Sequence, residues 1–436
     1  MVLEFLSQGS MKDCSTFSRL ARIFFFSMIL ILTSSSLSRA QLKPGQYLEE
    51  SPLGSWNQFG LDSAATLGTG LSQLTLAHNS QILLANPALL TSLKSCTLTI
   101  NLGFNQTQLF NYWLVNTGVV STDSNLTYRN FELNYVGFSC HSGQYTLAAA
   151  WAQSENFGRP AIDYQSADND YVYNSLKLGQ RGHLRTFSLA LARKFRTKLS
   201  LGLSLVFLTG RINRDLQEDW PLEGTSMIDS RQQKMTGFYA VFGLNYLISS
   251  RLAAGLSLIP PYQRKVKSQS LLTYTSAEVN LTTQGEADDR ANQPLIIGAG
   301  IKYKLKDNLN LLLESRYFAW DHYSYSYFGE NLNRDFKAII QLGAGLEYQI
   351  QASFLGQRWT TPYFVGFKID PQPMTDISST YYYLTFGSGF GNESLSLTFS
   401  TAIGFEHGSG HNLKNQKIAV TLDLYPEKIF KSRTRR

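Results

Sequence analysis

Leu199–Phe207 reads LSLGLSLVF. Leu199, Leu201, Leu203, Leu205 and Phe207 fall on one face of an extended chain, and Ser200, Gly202 and Ser204 on the other. A period of two marks a strand whose faces meet different surroundings. LIIGAGIKY (295–303), IQLGAGLEY (340–348) and KIAVTLDLY (417–425) repeat it, with bulky apolar residues opposing mostly small or polar ones. A β-sandwich also alternates, but it turns its bulky residues inward and uses strands of about five or six residues. Most of these runs have ten residues or more, the length a tilted strand needs to cross a bilayer.

Fourteen such runs follow one another: 96–105, 126–140, 144–155, 184–196, 199–212, 233–248, 251–264, 293–305, 308–320, 336–350, 361–370, 380–391, 393–407 and 415–425. Fourteen is even, as single-chain bacterial barrels require. Connections after even-numbered runs are short, as at Thr197-Lys198 and Ser249-Ser250, with a longer one at Gln351–Thr360. Most of those after odd-numbered runs are long and polar: 106–125, 156–183, 213–232 and 265–292. Short turns at one end and long loops at the other are the asymmetry of outer-membrane barrels. Aromatics gather near strand ends, as in YFAWDHYSYSYF and TYYYLTF, where they suit interfacial girdles. Charged residues are 16% of the 436 and aromatics 13%, and mean hydropathy is near zero. That excludes a bundle of membrane helices and leaves a transmembrane barrel or a large soluble β-protein. The fold expected is an all-β transmembrane antiparallel barrel of about 14 strands with a small N-terminal helical plug.

Lys12, Arg19 and Arg22 precede the apolar run Ile23–Leu32, and Ser38 and Ala40 stand before Gln41. That is the build of a signal peptide over 1–40, with Met11 an alternative start. Its removal takes away four basic and two acidic residues and lowers the formal charge from +7 to +5. The tail 427–436 is basic. Contact with anionic outer-membrane lipid accounts for it better than nucleic acid, for which no partner stripe is visible. Cys96 and Cys140 fall near the same end of neighbouring strands. The expectation is two unpaired residues, because neighbouring strand positions often miss disulfide geometry; a disulfide in an oxidising periplasm is the alternative.

Between the signal peptide and the barrel (96–426) lies the segment 41–95. It carries LGTG (67–70) and SQILLANPALLTSL (80–93), apolar with few charges, and its helical pattern breaks at Asn86-Pro87. A Gly-rich turn, a small apolar helix, Asn86-Pro87-Ala88 and then about fourteen strands resemble the outer-membrane long-chain fatty-acid and hydrophobic-compound transporters of the FadL/TodX type. RLAAGLSLIPPYQRKVK from Arg251, QLGAGLEYQI from Gln341, and FKIDPQPMTD followed by YYYLTFGSGF look similar too. The chain departs from the family pattern at Ala85, at Leu89 and in AHNSQ (77–81), and it ends in a basic tail, so the resemblance is to a distant member. It implies a hatch at 41–95 bearing Asn86, Pro87 and Ala88, and passage of hydrophobic molecules such as fatty acids. It also implies an exit through the wall at the third strand. That strand ends in SENFGRP, so Gly158 and Pro160 are the candidate wall-opening region, since Pro cannot donate to a ladder; the alternative is that they start the long loop.

Alternation places Lys194, Lys302, Arg316, Glu314 and Glu347 inside as candidate lumen or ligand contacts, with Glu132 and Asp423 sharing that interior. They are read either as contacts for a polar head group or as a charge-paired network holding the barrel. No HExxH, GxSxG, paired CxxC or P-loop is present, and GSGFGN at Gly387 lies in a strand. No enzyme activity, cofactor or metal is therefore expected. His407 and His411, and EADD at Glu286–Asp289, are read as solvated loop residues. The alternative function is a structural or partner-binding barrel of the secretion-machinery type, with a periplasmic or membrane protein partner.

Overall fold

In the computed structural model the described residues are 62–427, apart from 71, 94–95, 111–124, 169–170, 333–335, 355–356, 376–377 and 411. The signal-peptide reading, residues 41–61 of the plug segment, His411 and the tail from 428 lie outside them.

The first half of the chain supplies β1 (Thr97–Phe110), β2 (Asn125–Ser142), β3 (Tyr145–Asn156), β4 (Arg159–Asp168), β5 (Tyr171–Phe195), β6 (Leu199–Trp220), β7 (Thr225–Leu247), β8 (Leu252–Ile259) and β9 (Tyr262–Thr275). The second supplies β10 (Asn280–Gln293), β11 (Ile296–Lys306), β12 (Leu309–Phe318), β13 (Ser324–Tyr327), β14 (Glu330–Leu332), β15 (Ile339–Phe354), β16 (Gln357–Pro371), β17 (Thr380–Gly391), β18 (Leu395–His407) and β19 (Lys414–Leu424). Fourteen of these form a closed antiparallel wall in the order β1-β2-β3-β5-β6-β7-β8-β11-β12-β15-β16-β17-β18-β19. It shuts where Leu98 meets Leu424. Closure of the ring joins the first strand to the last, so most backbone groups of the wall can be satisfied without water.

The remaining strands, β4, β9, β10, β13 and β14, lie beyond the wall on the long-loop side: β4 pairs with the extension of β5 and β9 with that of β7, and β10, β13 and β14 follow β9 in turn. They correct the reading of long polar loops. Residues 213–232 are the far ends of β6 and β7, paired without a break from Asn213↔Gln232 to Trp220↔Thr225. Residues 265–292 are the β9–β10 hairpin. The run 251–264 stops at Ile259, where Pro260-Pro261 withholds two ladder donors, and re-forms as β9, which stays on β7 but has β10 rather than β11 on its other side. The connection at 351–360 tightens, because β15 and β16 stay paired to Phe354↔Gln357. EADD is strand rather than loop: Asp289 is buried, accepting from Ser268 Oγ (2.5 Å) and from the amides of Phe328 and Gly329. Cys96 and Cys140 are joined as a disulfide, against the expectation of unpaired residues. They lie next to the directly opposed pair Thr97↔Ser139 of β1 and β2.

The alternation sorts as the chemistry requires. Leu201, Leu203, Leu205 and Phe207 are exposed on the outer surface, while Ser200 and Ser204 are buried inside. Phe131, Leu147, Ile340 and Phe399 continue this outer apolar surface on other strands, with Phe131 the most exposed at 69%. So large an apolar band is stable only against lipid.

Inside the wall lies the segment 62–93. It comprises α1 (Ala64–Gly68), capped by the Ser63 hydroxyl, and two 3₁₀ turns, Ser80–Leu84 and Pro87–Ser92. Asn79 caps the first turn and Asn86 the second, with Pro87 at its first position, where a missing N–H costs nothing. Inward-facing glycines make room for it. A Cβ on Gly345 would lie 2.2 Å from the Thr69 carbonyl oxygen, and one on Gly255 1.9 Å from that of Leu74. Gly345→Val is expected to destabilise the barrel by about 1–3 kcal/mol, the range for overpacking. The check is the temperature at which the folded, heat-modifiable band is lost on gels, against a control such as Gly179→Ala, whose added Cβ meets nothing within 4 Å.

Candidate functional site: the barrel lumen and a break in its wall

The inner segment is fastened to the wall by its backbone. Glu314 on β12 accepts from the amides of Gln73 (2.8 Å) and Leu74 (2.9 Å) and pairs with Arg316 at 2.8 Å. Arg316 also donates to the Gln73 side chain. Asn86 donates to the Leu74 carbonyl (2.8 Å) and to that of Leu244 on β7 (3.1 Å), while its own oxygen accepts from the Ala88 amide. Thr421 Oγ1 accepts from the Ala64 amide, Ser204 Oγ donates to Leu83, and Thr385 Oγ1 donates to Gly68. Polar residues on the inward face therefore satisfy a segment that has little regular structure of its own.

A small cavity of about 70 Å³ remains on the long-loop side of this segment. Its lining runs from Leu74, Leu84 and Ala85 to Leu208, Tyr239, Ile259, Tyr262 and Phe318, and it includes Ser154, Glu155 and Arg264. Tyr239 and Tyr262 stack with centroids 4.6 Å apart. Arg264 is buried, bonded to Glu155 Oε1 (2.7 Å) and to the Tyr262 hydroxyl (3.2 Å), while its Nε and Nη1 meet no partner. On the turn side a larger cavity of about 390 Å³ is lined by His78, Arg251, Lys302, Lys304, Asp307 and Glu347 among others.

Beside the first cavity the wall is incomplete. β2 pairs with β3 only from Ser142↔Tyr145 to Tyr135↔Ala152. From Asn125 to Leu133 it pairs with β1 alone among the described strands. β3 ends at Asn156, the chain continues past Phe157-Gly158 as β4, and β4 pairs with β5 only. Phe157 turns inward and is fully buried in the apolar cluster that includes Leu84, Leu184 and Leu208. Side chains span the gap. Glu132 on β2 accepts from Gln153, from Asn156 Nδ2 (2.7 Å) and from His183 Nε2 (2.9 Å). Gly158 leaves room for Tyr128, whose hydroxyl oxygen would lie 2.0 Å from an added Cβ.

The sequence-derived candidates separate accordingly. Arg316 lines the first cavity and Glu314 anchors the inner segment beside it. Lys302 and Glu347 line the second. Lys194 stands apart and exposed, near the turn end of β5. Asn86, Pro87 and Ala88 lie within the inner segment against β6 and β7. Gly158 sits at the break, and Pro160 is the second residue of β4 just beyond it. Arg264 was not legible as a lumen residue, because the wall strand it was assigned to ends at Ile259. The only available signal was the Pro-Pro pair.

Closed wall, lipid-facing band and filled interior define a transmembrane β-barrel plugged by its own N-terminal segment. No protein-family model matches the chain, and no curated protein does. Solved structures do match. A FadL homologue from Pseudomonas aeruginosa is 12% identical with a TM-score of 0.60, covering 83% of this chain and 98% of its own. The Ralstonia pickettii toluene transporter TbuX is 12% identical, TM-score 0.56, with 84% and 98% covered. The monoaromatic hydrocarbon channel CymD is 15% identical, TM-score 0.56, with 83% and 96% covered. The chain has the fold of the FadL/TodX-type channels.

His78 reports on how the segment is seated. Its Nε2 lies 3.1 Å from Glu347 Oε1. Burial opposes the imidazolium, but Glu347, with help from Asp423 and against Lys302, raises the His78 pKa above its ordinary value. A raised histidine pKa stabilises fully below about 6.5, the ordinary value. That contribution disappears as pH climbs through the higher folded-state value. Amide exchange in residues 73–80 should therefore quicken as pH rises past that point, after correction for intrinsic rates, and His78→Gln should flatten the dependence.

Proposed function

We propose that this barrel passes hydrophobic molecules across the outer membrane and into its lipid, through the break between β2 and β3. One observation carries the reading. Ser154 and Glu155 line the cavity beside the inner segment, and they lie in the last stretch of β3, past Ala152, where the ladder to β2 is missing. With residues 62–93 filling the axis, a solute leaving that cavity finds its open direction sideways, into lipid. Each buried CH₂ favours the move from water by about 0.8 kcal/mol. In this reading the segment 41–95 is a hatch, Asn86-Pro87-Ala88 fixes its seat, and Phe157-Gly158 with Pro160 forms the exit. The chain is exported by a cleaved signal peptide and stands in the outer membrane with its long-loop side outward.

Arg264 supports a solute with an anionic head, such as a long-chain fatty acid, over a neutral hydrocarbon. Its two unpartnered donors sit among Leu84, Leu208, Tyr239 and Tyr262, where a carboxylate would accept from them while its chain covers the apolar walls. Extraction of the detergent-purified protein should release a carboxylate-bearing acyl species enriched over an unrelated barrel. Recovery of a co-purifying protein with no such species would favour the partner-binding alternative. Arg264→Gln should weaken binding of a long-chain fatty acid by about 10–100-fold, the worth of a charge-assisted bond of about 1.5–3 kcal/mol. Binding of a neutral aromatic should change much less.

A further inference from the structure

Outside the wall, on the long-loop side, neighbouring strands align their side chains in rows. Phe187, Phe207 and Phe238 stand directly opposite one another on β5, β6 and β7, all exposed, with the last two rings 5.1 Å apart. They close the apolar band at that end. Two residues further out on the same face come Arg185, Thr209, Thr236, Lys265 and Arg290, from β5 through β6, β7 and β9 to β10. Two residues beyond stand Arg211, Lys234 and Lys267, again directly opposite one another, with Asp288 next in line and His183 at the other end.

This arrangement costs energy in the bare protein. Like charges directly opposed on adjacent strands destabilise a sheet. Among the described residues, no ion pair joins Arg185, Arg211, Lys234, Lys265, Lys267 or Arg290 to a carboxylate. His183 is turned away to Glu132. Asp288 and, a row further out, Glu286 are the nearby acids, and Glu286 is hydrogen-bonded to Gln269. Six cations thus face outward, immediately beyond the last lipid-facing aromatic row, where the head groups of the surrounding leaflet lie.

We propose that this patch docks a phosphorylated glycolipid of the outer leaflet, its phosphates on the two cationic rows and its acyl chains along Phe187, Phe207 and Phe238. The inference rests on the outward orientation of the long-loop side but not on any transported solute. The spacing suits it. Arg211, Lys234 and Lys267 span two strand intervals, about 10 Å, and the rows lie about 7 Å apart along the strands. One diphosphorylated disaccharide head can therefore meet several of these cations at once. Basic residues at a membrane surface each favour anionic lipid by about fivefold.

The test uses the full mature protein in detergent, stripped of lipid, and titrates it with a bisphosphorylated acylated disaccharide glycolipid. Binding is read by native mass spectrometry. A saturable adduct is expected for wild type. The triple variant R211Q/K234Q/K267Q should lose roughly 100-fold in affinity, from about fivefold per charge. Lys198→Gln, in an exposed turn on the opposite side, should bind as wild type. Equal binding of the chemically dephosphorylated glycolipid overturns the proposal, as does equal binding by the triple variant. Competition by inorganic phosphate at equal concentration would make the patch a general anion site and overturns the lipid assignment. If the triple variant does not fold, judged by its heat-modifiable gel band, the dephosphorylated arm on wild type decides alone. No outcome depends on whether the lumen carries fatty acids.

Discussion

The inner segment and the wall meet backbone against backbone. Residues 62–93 run against the inner surface of the wall at places where the strand carries no side chain, with Thr69 over Gly345, Leu74 over Gly255 and Pro87 over Gly202. Everything else inside follows from that approach. A segment with only one turn of α-helix and two 3₁₀ turns leaves many amides and carbonyls without internal partners. In a water-poor lumen each would cost on the order of 1–3 kcal/mol if unmet. The wall meets them with Glu314, Ser204, Thr385 and Thr421, all inward positions of their strands. The small and polar face of each alternating strand is thus the complement of the plug, not filler.

The same partition explains the charges. Glu314 and Glu347 sit inside: Glu314 holds two amides of the inner segment and pairs with Arg316 of its own strand, and Glu347 meets His78 of the segment and Asn310 and Gln349 of the wall. Arg264 differs in retaining unused donors against an apolar cavity. Cations on the outer surface are displaced beyond the aromatic row, because charge on the lipid face near the midplane costs about 2–4 kcal/mol.

Where the wall lacks a ladder, it is joined by side chains instead. Backbone pairing between β2 and β3 stops at Tyr135↔Ala152, and Glu132 takes over with Gln153, Asn156 and His183. Those bonds can exchange one at a time, whereas a ladder opens only cooperatively. At the break Phe157 leaves the strand to join the interior cluster.

Period-two alternation with Gly and Ser on one face was enough to read fourteen crossing strands, their in and out faces, and the parity of turns and loops. These are local consequences of a strand lying between lipid and lumen. The stop at Asn86-Pro87 was legible too, as a cap followed by proline. The outer sheet was not, because polar strands beyond the membrane lack the apolar alternation that reveals strands within it. Nor could the sequence pair Cys96 with Cys140, bury Asp289, bring Arg264 to Glu155, or align Arg211, Lys234 and Lys267 in one row. Each of these depends on register between strands distant in sequence, and register is fixed only when the wall closes and every strand must match two neighbours at once.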